Sequence, residues 1–139
     1  MLKAMRALPA IGTTNETRFV VETRQAIEFA GAGMPAVLSS PALIAFLERA
    51  ARESLLPFLE PGESSVGTEI ELRHLAPTPP GDRVICTARV IQVAGATVSF
   101  QVEARDSHEV IARGFHRRQV ISVERFARRV EAKAFRNRE

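Results

Sequence analysis

Tryptophan and tyrosine are absent from this 139-residue chain, and cysteine occurs once, as Cys86. One cysteine excludes an intrachain disulfide and a cysteine-built metal centre. With phenylalanine as the only aromatic, a base-stacking platform for nucleic acid would rest on Phe alone. The three histidines, His74, His108 and His116, fall in no HExxH or comparable spacing, so no metal site is expected. Neither GxxxxGK[ST] nor GxGxxG is present, which removes the common phosphate-cradling loops. No apolar run approaches the ~20 residues needed to cross a bilayer. The opening MLKAMRALPAIG has no sustained apolar core of the kind a secretory signal carries, so a cytoplasmic protein is expected.

What is present describes one folded domain. Hydrophobic residues make up 45% and charged residues 25%, a globular balance at a single-domain length. The net charge of +3 is unevenly placed. Residues 125–139 hold Arg125, Arg128, Arg129, Lys133, Arg136 and Arg138 against Glu131 and Glu139, a net of +4. The body is therefore close to neutral, and the basicity belongs to the C-terminal segment. A solvated helix face explains it more simply than nucleic-acid binding does. Its functional alternative is contact with a phosphorylated ligand.

Residues 1–17, with Pro9, Gly12 and a polar TTNET stretch, read as a flexible leader; residues 18–139 read as the domain. A short strand is expected at 18–24 and one or two helical turns at 25–30. GAGMP at 31–35 is a breaker loop. The spacing of Leu43, Phe46, Leu47, Ala50 and Ala51 predicts a buried helical stripe over 42–56, with Ser40 as N-cap and Pro41 in the first turn. From residue 63 the period becomes two. Val66, Thr68, Ile70, Leu72 and His74 are expected on one face of a strand. Further strands are expected at 83–94, 97–105 and 109–122, separated by tight turns that favour antiparallel pairing. A C-terminal amphipathic helix follows at 123–134, with Phe126, Val130 and Ala134 on one face. A long helix covering five or six antiparallel strands is the α+β hot-dog arrangement.

Three residues stand out chemically. Glu48 has Ile44, Ala51 and Leu55 as helical neighbours, so it borders the apolar stripe, where desolvation favours general-base chemistry. A flanking carboxylate paired with Arg52 fits the same spacing. His74 ends an inward-facing run, as a proton acceptor or as a hydrogen-bonded core residue. Ser40 is either a plain helix cap or part of a helix-start site for a carbonyl oxygen. On the last strand His116 and Arg118 share a face with Gly114, in a structural or a ligand-facing role. Cys86 alternates toward the core, and His108 sits in a polar turn.

The blocks SSPALIAFLERAARESLLPFLEPG, SVGTEIELRHLAPTPPG and GFHRRQVISVERFARRV, in that order, resemble the hot-dog thioesterases of the fluoroacetyl-CoA thioesterase-like family over about residues 18–130. The resemblance implies hydrolysis of small acyl-CoA thioesters. It implies a catalytic set of Ser40, Glu48 and His74, with Gly67 lining the site. Met34 of the breaker loop, His116 and Arg118 are expected to contact substrate. No cofactor is expected beyond the CoA of the substrate, and no membrane or nucleic-acid partner. The sequence has Ser40 where the fluoroacetyl-specific enzyme has threonine, and the GAGMP loop lacks that enzyme's phenylalanines. A non-catalytic acyl-CoA-binding module on the same fold is the alternative. Ser40 and Glu48, eight residues apart, stand ~12 Å apart along one helix, so either the helix begins after Pro41, two protomers share the site, or the substrate and His74 bridge the gap; the resemblance implies the second, a site at the interface of a homodimer.

Overall fold

The computed structural model describes residues 8–138; the start of the expected leader and Glu139 lie outside the described residues. Its elements run β1 (Thr14–Val20), a 3-10 turn (Thr23–Gln25), α1 (Ser40–Leu55), a second 3-10 turn (Leu56–Phe58), β2 (Glu63–His74), β3 (Arg83–Ala94), β4 (Thr97–Arg105), β5 (Val110–Ser122) and α2 (Val123–Arg136). The five strands form one antiparallel sheet in the order β1-β3-β4-β5-β2.

The core is α1 pressed on the sheet's inner face. Leu43, Leu47, Ala50, Ala51 and Leu55 are fully buried against Val84, Cys86, Ala88 and Val90 of β3 and Val98, Phe100, Val102 and Ala104 of β4. Truncating a leucine in such a stripe to alanine costs about 2–5 kcal/mol. Phe19 of β1 stacks on Phe46 of α1 with ring centroids 3.7 Å apart, and Asn15 Nδ2 donates to Ala50 O at 3.0 Å. The outer strand and the helix are thus tied together.

Several details depart from the sequence reading. β1 begins at Thr14, inside the stretch expected to be leader, because Thr14–Val20 pair with Arg83–Arg89 of β3. Residues 25–30 form no α-helix; Gln25 ends the 3-10 turn, Ala26 bridges to Leu38, and Glu28 and Phe29 form a turn. The segment between β2 and β3 is not a hairpin turn. It is a crossover, since β2 pairs with β5 and β3 with β1. Thr78 anchors that crossover: its O accepts from Leu38 N at 2.8 Å and its Oγ1 donates to Asp106 Oδ2 at 2.9 Å.

The largest correction concerns β2. Gly67 pairs with Arg118 and Glu69 with Arg117, so Thr68 is an extra residue with no partner on β5. A one-residue bulge reverses the alternation upstream of it. Ser65 and Gly67, not Val66 and Thr68, therefore share the inner face with Ile70, Leu72 and His74. Their partners Val120, Arg118, His116, Gly114 and Ala112 line the same face of β5. α2 leaves the end of β5 with Val123 N bonded to Gly62 O, and none of its residues is buried. Among the described residues no helix is long and apolar enough to cross a membrane.

Candidate active site

The start of α1 and the end of β2 meet at Ser40 and His74. Ser39, in extended conformation, caps the helix by accepting from Ala42 N at 3.2 Å. This corrects the sequence assignment of the cap to Ser40. Relieved of that task, the Ser40 hydroxyl lies 2.8 Å from His74 Nδ1. His74 Nε2 is buried and has no hydrogen-bond partner among the described residues. Burial holds the His74 imidazole below its usual titration range, so it is neutral at pH 7. A neutral ring with one nitrogen on a hydroxyl and the other unpaired is equipped to accept or pass a proton.

A cavity of about 350 Å³ opens on this pair, lined by Ile27, Val37, Leu38, Ser40, His74, Leu75, Ala76 and Pro77. Its walls come from the 26–38 connection and the crossover. Met34 does not line it. Met34 closes a tight turn with Gly31 through reciprocal backbone bonds of 2.8 Å and is exposed. Ala32, in the same turn, adopts a positive φ of 50°.

Glu48 belongs to a second cluster, two turns further along α1. Its Oε2 lies 3.4 Å from Arg118 Nη1 and 3.9 Å from His116 Nε2. Arg118 is almost wholly buried; its Nε donates to Ser65 Oγ and its Nη2 to Ser65 O, both at 2.9 Å. His116 Nδ1 donates to Glu69 O at 2.9 Å, and Nε2 faces Arg118 Nη1 at 3.2 Å. A carbonyl below and a guanidinium above fix one tautomer, with the proton on Nδ1. Burial, with the Arg118 charge acting in the same direction, lowers the His116 pKa. The His116–Glu48 approach is therefore not an ion pair, and the cation at Glu48 is Arg118. Burial also lowers the Arg118 pKa from its high reference, without threatening its charge at neutral pH.

Gly67 makes this cluster possible. A Cβ at Gly67 would fall 2.5 Å from Glu48 Oε2 and 3.1 Å from His116 Cε1. The Glu48 side chain is 40% exposed and opens on a cavity of about 310 Å³ bounded by Ala45, Arg49, Arg52 and Arg118.

Of the sequence-predicted residues, the structure brings together Ser40 with His74, and Glu48 with Gly67, His116 and Arg118. It does not join the two groups within one chain. Eight helical residues separate Ser40 from Glu48 by ~12 Å, and Gly67 lies within β2 while His74 ends it. Ser65 was missed, because strict alternation points it outward; the signal that could have found it is Gly67, since an interior strand glycine often marks a bulge. A third hollow, of about 420 Å³, lies by β1 and the start of β3 and holds none of these residues.

A model of the fluoroacetyl-CoA-specific thioesterase family matches residues 20–124. The fluoroacetyl-CoA thioesterase of Streptantibioticus cattleyicolor is 39% identical over 102 residues, 73% of either chain. Among solved structures, a threonine-to-serine variant of the fluoroacetyl-CoA thioesterase in complex with acetyl-CoA is similar at 34% identity and a TM-score of 0.84, over 90% of this chain and 98% of that one. A thioesterase-superfamily protein of Thermus thermophilus is similar at 30% identity and a TM-score of 0.82, over 93% and 97% of the respective chains.

Proposed function

The chain belongs to the fluoroacetyl-CoA-specific thioesterase family, and from that premise we propose that it hydrolyses CoA thioesters of small acyl groups through Ser40, His74 and Glu48. The observation that carries the reading is the 2.8 Å contact between Ser40 Oγ and a neutral, half-paired His74. The Ser40 hydroxyl offers a hydrogen bond to the thioester oxygen, where negative charge develops, and the dipole of α1 adds partial positive charge there. Glu48 attacks the carbonyl carbon, CoA leaves as thiolate, and a water molecule whose proton His74 takes adds to the Glu48 carbonyl carbon of the resulting anhydride, releasing the acid and returning the Glu48 carboxylate with one oxygen from water. The competing route has Glu48 activate water directly. Single turnover in ¹⁸O-labelled water separates them: label entering the Glu48 carboxylate supports the anhydride, and its absence sinks it.

The separation of the two clusters calls for a homodimer in which Glu48 of one protomer serves Ser40 and His74 of the other. β2 is an edge strand whose second side pairs with nothing among the described residues. Antiparallel pairing of two β2 edges about a two-fold at Glu71, with Thr68 again bulged out, sets Gly67 opposite His74 of the partner subunit. Glu69 then faces Arg73 of the partner subunit, twice, which offsets the like-charge opposition at Glu71. Mixing Glu48→Gln with His74→Ala protein tests this. A shared site restores activity in the mixed dimer, because one of its two sites is then intact; a site within one chain restores none.

Gly67 is assigned to the substrate's surroundings beside Glu48, whereas Met34, exposed at the outer turn of the loop, stands away from the cavity at Ser40 and His74. Ser40 and the absence of phenylalanine from residues 31–35 suit a range of small acyl groups. Free-thiol release from a panel of acyl-CoAs, with Glu48→Gln as control, tests the activity. Turnover lost in that variant supports the enzyme, and binding without turnover by the unmodified protein establishes the binding module instead. The reading implies a cytoplasmic enzyme, whose exposed basic α2 can offer charge to the CoA phosphates.

A further inference from the structure

The two half-sites differ in how their reacting groups are held, and the Glu48 side contains a device the proposed chemistry has not used. We propose that Arg118 is the positioning residue for Glu48: a guanidinium locked in place by Ser65 and His116 that grips one carboxylate oxygen and leaves the other free to react. The proposal rests on the reading of Glu48 as the reacting group.

The donor inventory of Arg118 supports it. Nε and Nη2 are committed to the two oxygens of Ser65, one on the side chain and one on the backbone. That fork fixes the plane of the guanidinium, as a lysine ammonium could not. Nη1 carries two hydrogens and has two partners, Glu48 Oε2 at 3.4 Å and His116 Nε2 at 3.2 Å. His116 accepts there because its own proton is engaged by Glu69 O at 2.9 Å. The imidazole therefore gives Glu48 nothing directly; it fixes the direction of Nη1. Among the described residues Glu48 Oε1 takes no hydrogen bond, and Glu48 borders the cavity shared with Arg49 and Arg52. The bulge completes the arrangement, since it brings Ser65 and Gly67 inward together: one seats the guanidinium and the other leaves room for the carboxylate.

This role differs from substrate binding in a measurable way. A residue acting through Glu48 lowers kcat and leaves KM nearly unchanged, and its loss adds nothing once Glu48 is gone. The test measures kcat and KM for Arg118→Ala, Arg118→Lys, Ser65→Ala, Glu48→Gln and the Glu48→Gln/Arg118→Ala pair on the acyl-CoA that the unmodified protein turns over best. Arg118→Ala is expected to lose kcat by about 10²-fold with KM within about threefold, on the scale of one lost charge-stabilising donor. Guanidinium ion is expected to recover part of it, and the double variant to match Glu48→Gln alone. Arg118→Lys is expected to lose most of the rate, and Ser65→Ala about tenfold.

A rise in KM at unchanged kcat overturns the proposal in favour of direct substrate contact, as does a further large loss in the double variant. Should Arg118→Ala fail to fold, Arg118→Lys and Ser65→Ala carry the same kcat-against-KM comparison, and unchanged kcat in both overturns the proposal. Full activity in Glu48→Gln overturns the underlying reading itself, and is recognised without reference to Arg118.

Discussion

The start and the middle of α1 hold their chemistry in opposite ways. At the N-terminal end, Ser40 is exposed, makes one contact to His74, and leaves a histidine nitrogen unpaired beneath a loop-lined cavity. Two turns later, Glu48 meets a buried cation whose donors are nearly all spoken for by Ser65, His116 and Glu48 itself. The second cluster is built on strands and is preorganised. The first is built where a helix start, a strand end and a connection converge, and its hydrogen bonding is incomplete. A site that must admit a substrate keeps open valences on the side where the substrate arrives, and rigidity on the side where it reacts.

The sharpest way to break this contrast is His74→Asn, which keeps a polar group beside Ser40 but removes the base. A loss in kcat of about 10²–10⁴-fold is expected, the usual range for a positioned general base, read by thiol release. A loss under tenfold would leave the N-terminal cluster without a chemical role. Gly67→Ala tests the Glu48 cluster. Its Cβ would displace the end of the Glu48 side chain, so a drop in kcat is expected with little change in stability, because the displaced carboxylate is half-exposed and free to swing aside; thiol release and denaturant unfolding read the two.

Acid provides a third test. Burial depresses the titration of both His74 and His116 in the fold. The stability tied to their neutral forms is thus complete above the unfolded value of about 6.5 and is lost as pH falls through the lower folded values. The limb of kcat/KM that reports His74 belongs below 6.5 for the same reason, and an assignment of that limb above 6.5 contradicts a buried neutral ring. The smallest effect separates two adjacent serines. Ser39→Ala is expected to cost about 1 kcal/mol of stability with little change in kcat, as a lost cap does; Ser40→Ala is expected to spare stability and lower kcat.

Much of this was legible in the residues. The stripe from Leu43 to Ala51 and the alternation of Val98, Phe100, Val102 and Ala104 fixed the helix and a core strand, because both faces are dictated by burial. Ser40, Glu48 and His74 were each visible as polar groups at the margin of an apolar pattern. What escaped was non-local or one residue in size. Pairing of β2 with β5 depends on which edges remain open after folding, and APTPPG punctuates a crossover as readily as a hairpin. Two consecutive serines before a proline leave the cap undecided by one position. The bulge defeated a parity argument that assumes an uninterrupted strand.

Thr68 itself touches nothing catalytic; its hydroxyl donates to Arg117 O at 3.2 Å. Yet it acts as a phase shifter. Were Thr68 drawn into a regular ladder, the seven-residue spacing would put Gly67 and His74 on opposite faces, and any register that kept the histidine aimed at the helix start would turn the glycine and Ser65 to the far side of the sheet. The guanidinium would lose its seat although no residue that binds it had changed. An odd spacing between the SVG segment and His74 therefore works only because the bulge absorbs one residue, and that bulge is as much a part of the active site as the side chains it keeps in phase.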